Sequence, residues 1–143
     1  MTAIHDIERA RFNMVEQQIR PWEVLDQRVL DLLFELPRED FVPAQYRALA
    51  FADMEIPLRA GAAPGECMLA PKLEARMLQE LDLKSADRAL EIGTGSGYMT
   101  ALLARRCAHV TSVEIVPEFN RAAAARLAAQ DRKSTRLNSS HRT

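Results

Sequence analysis

The stretch RALEIGTGSGYMTALLA, from Arg88 to Ala104, decides the fold. A short apolar run is followed by three glycines at alternate positions, Gly93, Gly95 and Gly97, and then by a helix-like segment. Glycine has no Cβ, so the backbone can turn sharply there and a ligand can approach it closely. The unpaired N–H groups and the positive dipole end of the following helix point to the same place. The pattern therefore predicts a strand, a ligand-binding loop and a helix.

A second strand and a second helix follow at once. Residues 109–114 read HVTSVE, which is typical of a strand, and Pro117 opens an alanine-rich helix. Strand, helix, strand, helix is the beginning of a parallel α/β sheet. We therefore predict that residues 61–130 form the first part of an α/β domain. An N-terminal helical arm and cap over 1–60 precede it.

The arm and the segment after it are predicted from apolar spacing. Residues 4–19 have a roughly helical pattern that Pro21 closes, and Asp26 is a candidate N-cap for the next helix. The predicted buried face of that helix is Leu25, Val29, Leu32, Leu33 and Leu36. Residues 53–71 indicate a loop with an extended piece near Ile56, and Pro71 suits the first turn of a third helix. The predicted buried stripe of the third helix is Leu73, Met77, Leu78 and Leu81.

Two kinds of ligand fit the glycine loop, namely a dinucleotide pyrophosphate and the amino-acid end of S-adenosylmethionine. The dinucleotide fingerprint G-x-G-x-x-G needs a glycine where Tyr98 stands. The pattern present, E-x-G-x-G-x-G from Glu91, is the one seen in S-adenosylmethionine-dependent methyltransferases. An NAD-dependent oxidoreductase is the rival from another enzyme class.

Two carboxylates accompany the loop. Glu114 stands 21 residues after Gly93 at a strand end, where a carboxylate can accept hydrogen bonds from both ribose hydroxyls of either ligand. Glu91 lies in an otherwise apolar strand, and a buried carboxylate needs partners. We expect loop N–H groups or the ammonium group of the ligand to supply them.

With these residues in hand, the chain resembles the protein-L-isoaspartate O-methyltransferase family. The resemblance runs from about Ala10 to Gln130 and is carried by PREDFVP (37–43), IPL at Ile56, the G-x-x-x-x-x-P segment (65–71) and LEIGTGSGY (90–98). It implies a Rossmann-like class I methyltransferase fold with S-adenosyl-L-methionine as cofactor. The cofactor-binding residues that it implies are Glu91, Gly93, Thr94, Gly95, Ser96, Gly97 and Glu114.

The resemblance also implies the reaction. Members methylate the abnormal α-carboxylate of isoaspartyl residues in damaged proteins, and the ester then collapses to a succinimide. A carboxylate with a pKa of about 4 is already ionised at neutral pH, so we expect no catalytic acid–base residue and no metal. The enzyme's share is alignment of the reacting atoms and removal of water.

The chain departs from the family in the expected substrate loop, which comprises Met68, Leu69, Ala70 and Pro71. Members typically have T-I-S-x-P there, with a serine regarded as an active-site residue, and Leu69 occupies its place. Three alternatives stay open. The substrate is aligned through backbone groups, the acceptor is a different one, or the protein is a poor isoaspartyl enzyme. A protein that binds the cofactor without catalysis is a further rival interpretation.

Composition excludes some classes of function. Apolar residues make up 48% and charged residues 27% of the 143, and a net charge of −1 gives no indication of a nucleic-acid partner. No apolar run approaches the roughly 18 residues of a membrane span. Cys67 and Cys107 show no paired spacing, so we expect reduced thiols and a cytoplasmic location. We also expect a monomer.

The last residues read as foreign to the domain. Residues 131–141, DRKSTRLNSSH, resemble the translation of a DNA-sequencing adapter in one frame, and we expect 131–143 to be artefactual. Their basic residues are therefore not interpreted as a phosphate-binding tail. The other 130 residues carry 15 basic against 19 acidic groups, a net charge of −4. We further expect that the natural protein continues past Gln130, and that the product as written is inactive.

Overall fold

The computed structural model describes residues 2–131 and 139–142. The α-helices are α1 (Ala3–Met14), α2 (Gln27–Glu35), α3 (Pro71–Leu81), α4 (Tyr98–Ala104) and α5 (Pro117–Asp131). The strands are β1 (Ile56–Pro57), β2 (Cys67–Met68), β3 (Arg88–Ile92), β4 (His109–Val113) and β5 (Ser139–Arg142). Short 3-10 turns cover Arg20–Trp22, Arg38–Phe41 and Ala44–Leu49. Within these residues, none of the helices has the length and apolar character that a membrane span requires.

The N-terminal arm is helical, as predicted, but it ends differently. α1 begins at Thr2, whose hydroxyl accepts a hydrogen bond from the His5 N–H at 3.5 Å. A π-helical turn, Val15–Ile19, and the first 3-10 turn then continue the winding through Pro21. A proline fits the first turn of a helical segment because its missing N–H is not needed there. The chain leaves the helical conformation at Glu23, which has a φ of 61°.

α2 begins at its predicted cap, because the Asp26 carboxylate accepts a hydrogen bond from the Arg28 N–H at 2.9 Å. Leu25 is 58% exposed, contrary to the prediction, because it precedes the cap and lies outside the helix. The rest of the predicted face is buried and consists of Val29, Leu32, Leu33 and Leu36.

α3 turns a different face to the core than predicted. Of the predicted stripe only Leu78 is buried, and the exposed members are Leu73, Met77 and Leu81. The helix is rotated because Glu74 faces inward, where it forms an ion pair with the buried side chain of Arg38. Met77 and Leu81 therefore line a cleft beside β3 instead of the core.

The predicted strand–helix–strand–helix order over 88–130 is confirmed. β3 and β4 pair in parallel from Arg88↔His109 to Ile92↔Val113, with α4 between them in the chain. β5 pairs in parallel with the other side of β4, and β1 and β2 form a separate antiparallel pair. β5 falls in the segment that we expect to be artefactual, which stays a prediction. Residues 132–138 and 143 of that segment lie outside the described residues.

β3 is more exposed than its apolar sequence indicates. Leu90 is 66% and Ile92 75% exposed, so the prediction of a buried strand is wrong on this face. Side chains alternate along a strand, and Glu91 on the opposite face contacts Thr100 of α4. Within the described residues β3 also pairs on one side only. An apolar edge and an apolar face are thus open to solvent, which favours association.

We predict that the 143-residue chain, expressed as written, is poorly soluble or partly molten because of this surface. It should bind a hydrophobic dye and melt over a broad temperature range, as measured by dye fluorescence and calorimetry. A matched variant, Leu90→Thr with Ile92→Thr, places β-branched residues, which favour strands, at both positions and should bind less dye. A sharp cooperative melt without dye binding would contradict the prediction.

Candidate active site

The glycine loop, residues 93–97, connects β3 to α4. Its glycines have positive φ values of 94° at Gly93, 55° at Gly95 and 90° at Gly97, a region that residues with a Cβ avoid. The Gly93 N–H donates a hydrogen bond to the Val113 carbonyl at 2.7 Å, which ties the loop to the end of β4. No heavy atom lies within 4 Å of a Cβ built on Gly93, so a ligand can approach the backbone there.

The other end of the loop is packed against α5. A Cβ on Gly97 would lie 3.2 Å from the Ala123 Cβ, which is a close approach of two chain segments. The Ser96 carbonyl accepts a hydrogen bond from Arg126 Nη1 at 3.1 Å. The Ser96 hydroxyl accepts one from the Tyr98 N–H at 3.2 Å. These contacts fix the loop from the side of α5.

Glu114 lies next to the glycine loop, as the predicted pocket requires. It is 6% exposed, and its Oε1 accepts a hydrogen bond from the Gly95 N–H at 2.8 Å. Its Oε2 accepts one from the Val116 N–H at 3.1 Å. A cavity of about 360 Å³ is lined by Glu114, Gly93, Gly95 and Ile115, and we call it the nucleoside cavity after the ligand predicted for it. The structure therefore brings these residues together, whereas their role toward a ligand stays a prediction.

Glu91 has different partners from those expected. Its Oε1 accepts hydrogen bonds from the hydroxyls of Thr100 and, at 2.6 Å, Ser112, so the expectation of loop N–H groups is wrong. The Ser112 hydroxyl in turn contacts the buried Thr94 hydroxyl beneath the loop. Burial raises the pKa of Glu91, and the two hydroxyls oppose that shift. Sequence reasoning missed Ser112, although a serine inside the apolar strand HVTSVE is a signal for a buried polar contact.

Part of the predicted substrate loop lines a cleft, and part of it packs in the core. Met68 and Leu69 line an acceptor cavity of about 340 Å³, together with Glu91, Gly93 and Gly95 of the cofactor side. Pro71 is buried at the start of α3, and Ala70 precedes it as the helix cap without a side-chain hydrogen bond. The acceptor cavity and the nucleoside cavity share Gly93 and Gly95, so the glycine loop lies between them.

Arg38 is the main residue that sequence reasoning missed. Its side chain is fully buried, and its Nε donates to the Ala50 carbonyl at 2.8 Å. Its Nη2 donates to the Leu69 carbonyl at 3.0 Å, and its Nη1 contacts Glu74. The guanidinium also lies 5.0 Å from the centre of the Tyr98 ring. The available signal was a run of three charged residues between Pro37 and the apolar residues Phe41 and Val42.

We predict that Gly97→Ala lowers the free energy of unfolding more than Gly93→Ala does. Both substitutions force a Cβ into positive φ, which costs about 1–2 kcal/mol. Only at Gly97 does the added methyl also meet Ala123, so its cost should be about 1 kcal/mol larger. Urea denaturation of both variants measures the difference. Equal losses would show that α5 does not approach the loop this closely.

We predict that Glu91→Gln flattens the dependence of stability on pH. Because the pKa of Glu91 is raised in the folded state, wild-type stability falls as pH rises through that raised pKa. The variant has no carboxyl to ionise there, so its free energy of unfolding should fall less between about pH 4 and pH 8. Urea denaturation at matched pH values is the measurement. Glu80→Gln, at an exposed site on α3, should keep the wild-type slope, and an unchanged slope in Glu91→Gln would contradict the prediction.

Known proteins are similar to this chain in sequence. A protein-L-isoaspartate O-methyltransferase of Methanoculleus marisnigri is 42% identical over 111 residues, covering 78% of this chain and 49% of that protein. One from Myxococcus xanthus is 45% identical over 100 residues, covering 70% of this chain and 45% of that protein. The chain spans about half the length of the curated relatives it matches.

Solved structures confirm the predicted Rossmann-like class I methyltransferase fold. A Plasmodium falciparum protein described as a protein-L-isoaspartate O-methyltransferase, in complex with S-adenosyl-L-homocysteine, superposes with a TM-score of 0.71. It is 18% identical and covers 94% of this chain and 61% of its own. The family model described as "Protein-L-isoaspartate(D-aspartate) O-methyltransferase (PCMT)" matches residues 9–141. Since that match covers most of the sequence, this chain belongs to the protein-L-isoaspartate(D-aspartate) O-methyltransferase family.

Proposed function

We propose that the whole protein transfers a methyl group from S-adenosyl-L-methionine to the carboxylate of isoaspartyl residues in damaged proteins. One observation carries the proposal, namely that the glycine loop separates two adjoining cavities. One cavity adjoins Glu114, and the other adjoins Met68 and Leu69. This arrangement supports a donor and an acceptor that meet beside Gly93. Family membership and the similarly named relatives support the same reaction.

The residues present fit S-adenosyl-L-methionine. Gly93 leaves open space for a ligand against the main chain, and Glu114 offers a carboxylate in the same cavity for ribose hydroxyls. The cofactor-binding set that we propose is Glu91, Gly93, Thr94, Gly95, Ser96, Gly97 and Glu114. Thr94 and Ser96 are buried, and their hydroxyls bond within the loop and to its supports, so they would shape the loop. When bound, the cofactor supplies an activated methyl group on a sulfonium.

The proposed reaction depends mainly on how the reacting groups are aligned. The acceptor carboxylate is ionised at neutral pH, so no residue has to remove a proton from it. The chain's own work is to hold the acceptor in line with the donor and to exclude water from the attacking oxygen. Apolar side chains of the acceptor cavity, such as Leu69 and Met99, would exclude that water.

Leu69 favours a second candidate function. Its side chain lines the acceptor cavity but cannot donate a hydrogen bond to a carboxylate. A methyltransferase with another acceptor, or a protein that binds the cofactor without catalysis, would tolerate an apolar residue there.

We also propose a monomer in the cytoplasm, which fits the two free thiols.

We predict that the whole protein binds S-adenosyl-L-methionine in preference to NAD, and that it labels an isoaspartyl peptide but not the matching aspartyl peptide. Calorimetric titration and transfer of a labelled methyl group are the measurements. Glu114→Gln removes a carboxylate from the nucleoside cavity and should weaken cofactor binding about tenfold or more.

Glu118→Gln is the matched control, because Glu118 lies nearby at the exposed start of α5 and bonds Arg59. It should leave cofactor affinity unchanged. Preferential binding of NAD would refute the methyltransferase proposal. Binding without label transfer would instead favour the non-catalytic alternative, and transfer to another substrate would favour the different acceptor.

A further inference from the structure

We propose that Arg38 is a positioning residue for the acceptor, acting through the main chain of the Met68–Pro71 segment. The inference rests on the proposed function of the same site. Arg38 lies outside the cavities, fully buried, and its guanidinium donates to the carbonyl of Leu69 at 3.0 Å. It thus joins the core to the wall of the acceptor cavity, which its ion-pair partner Glu74 also lines.

The orientation of Arg38 is fixed by three further contacts. Its Nε donates to the Ala50 carbonyl, its Nη1 pairs with Glu74 of α3, and its plane lies over the Tyr98 ring. A guanidinium is rigid and planar, so contacts on several edges leave it one orientation. The Leu69 carbonyl therefore meets a donor that cannot swing away.

Fixing the Leu69 carbonyl also fixes an N–H group. The carbonyl of Leu69 and the N–H of Ala70 belong to one planar trans peptide unit and point in opposite directions. Because Arg38 holds the carbonyl from the core side, the Ala70 N–H points away from the core. Among the described residues, that N–H has no hydrogen-bond partner.

This N–H matters because the segment offers no polar side chain. Methionine, leucine, alanine and proline carry no N–H or O–H in their side chains. A carboxylate accepts a charge-assisted hydrogen bond from a backbone N–H readily, most of all near a helix start such as that of α3. Arg38 would therefore set the affinity for the acceptor where the family serine is replaced by Leu69.

The cofactor side has supports of its own. Glu114 accepts a hydrogen bond from the Gly95 N–H, and Arg126 donates one to the Ser96 carbonyl. The Ser112 hydroxyl contacts the Thr94 hydroxyl. The contact of Arg38 with that side is to the Tyr98 ring, and a methionine at position 38 would keep packing against it. Loss of the guanidinium should therefore change the acceptor and not the cofactor.

The test replaces Arg38 and Glu74 together by methionine in the whole protein. Removing one member of a buried ion pair leaves an uncompensated charge, whereas replacing both by apolar residues is often tolerated. We expect the KM for an isoaspartyl peptide to rise about tenfold while the cofactor Kd stays within about twofold. We also expect the ¹⁵N order parameter of Ala70 to fall from about 0.85 to below about 0.6.

A second buried ion pair supplies the matched control. Arg11 donates to both Glu39 oxygens at 2.8 and 2.9 Å, and it lies 5.0 Å from the centre of the Phe51 ring. It thus has the same ion-pair chemistry as Arg38 and Glu74, and within the described residues no hydrogen bond or ion pair joins it to residues 68–71. Unlike Glu74, neither Arg11 nor Glu39 lines the acceptor cavity. Arg11→Met with Glu39→Met should leave both the acceptor KM and the Ala70 order parameter unchanged.

Equal rises in acceptor KM for both double variants would overturn the inference, because a general loss of stability would then explain them. An unchanged order parameter at Ala70 would overturn it as well. If the wild-type protein transfers no methyl group to isoaspartyl peptides, the proposed function fails, and the order parameter alone decides whether Arg38 holds the segment.

Discussion

The buried guanidinium of Arg38 is the constraint on which the arrangement of the site depends. It joins the 3-10 turn that carries it to Ala50, to α3 through Glu74, and to the acceptor wall through Leu69. A charge in the core is tolerable only with such complete pairing. Its position therefore determines which face of α3 is buried, and it leaves Met77 and Leu81 facing the cleft.

The glycine loop is held by a different principle. There the backbone adopts positive φ values, which residues with a Cβ avoid, and three polar groups from β4 and α5 hold the loop in place. Glu114 extends from the end of β4, Arg126 from α5, and Ser112 from within β4. The proposed donor side is therefore built from local loop geometry, and the proposed acceptor side from long-range pairing in the core. The two sides meet at Gly93.

Sequence reasoning predicts the elements around the glycine loop because each signal is local. The glycine spacing, the strand HVTSVE and the Pro117 helix start each span only a few residues, and their order determines the parallel unit. The partners of Glu91 and the role of Arg38 depend on residues 9 to 36 positions away, which no period in the sequence encodes. The predictions that apolar residues of α3 and β3 are buried fail for another reason. Leu73, Leu90 and Ile92 are recognisably apolar, but the pattern does not say whether anything covers them.

Cys67 shows a consequence of placing a thiol on the border of both cavities. Burial, together with the neighbouring Glu55 carboxylate 2.9 Å away, raises the pKa of the Cys67 thiol to about 11. At neutral pH the sulfur is therefore almost wholly protonated, and a protonated thiol is a poor nucleophile. A sulfonium alkylating agent held beside Gly93 would thus face a neighbour that is chemically silent. The burial and the Glu55 carboxylate that suppress this thiolate would thus protect Cys67 from methylation by a bound donor.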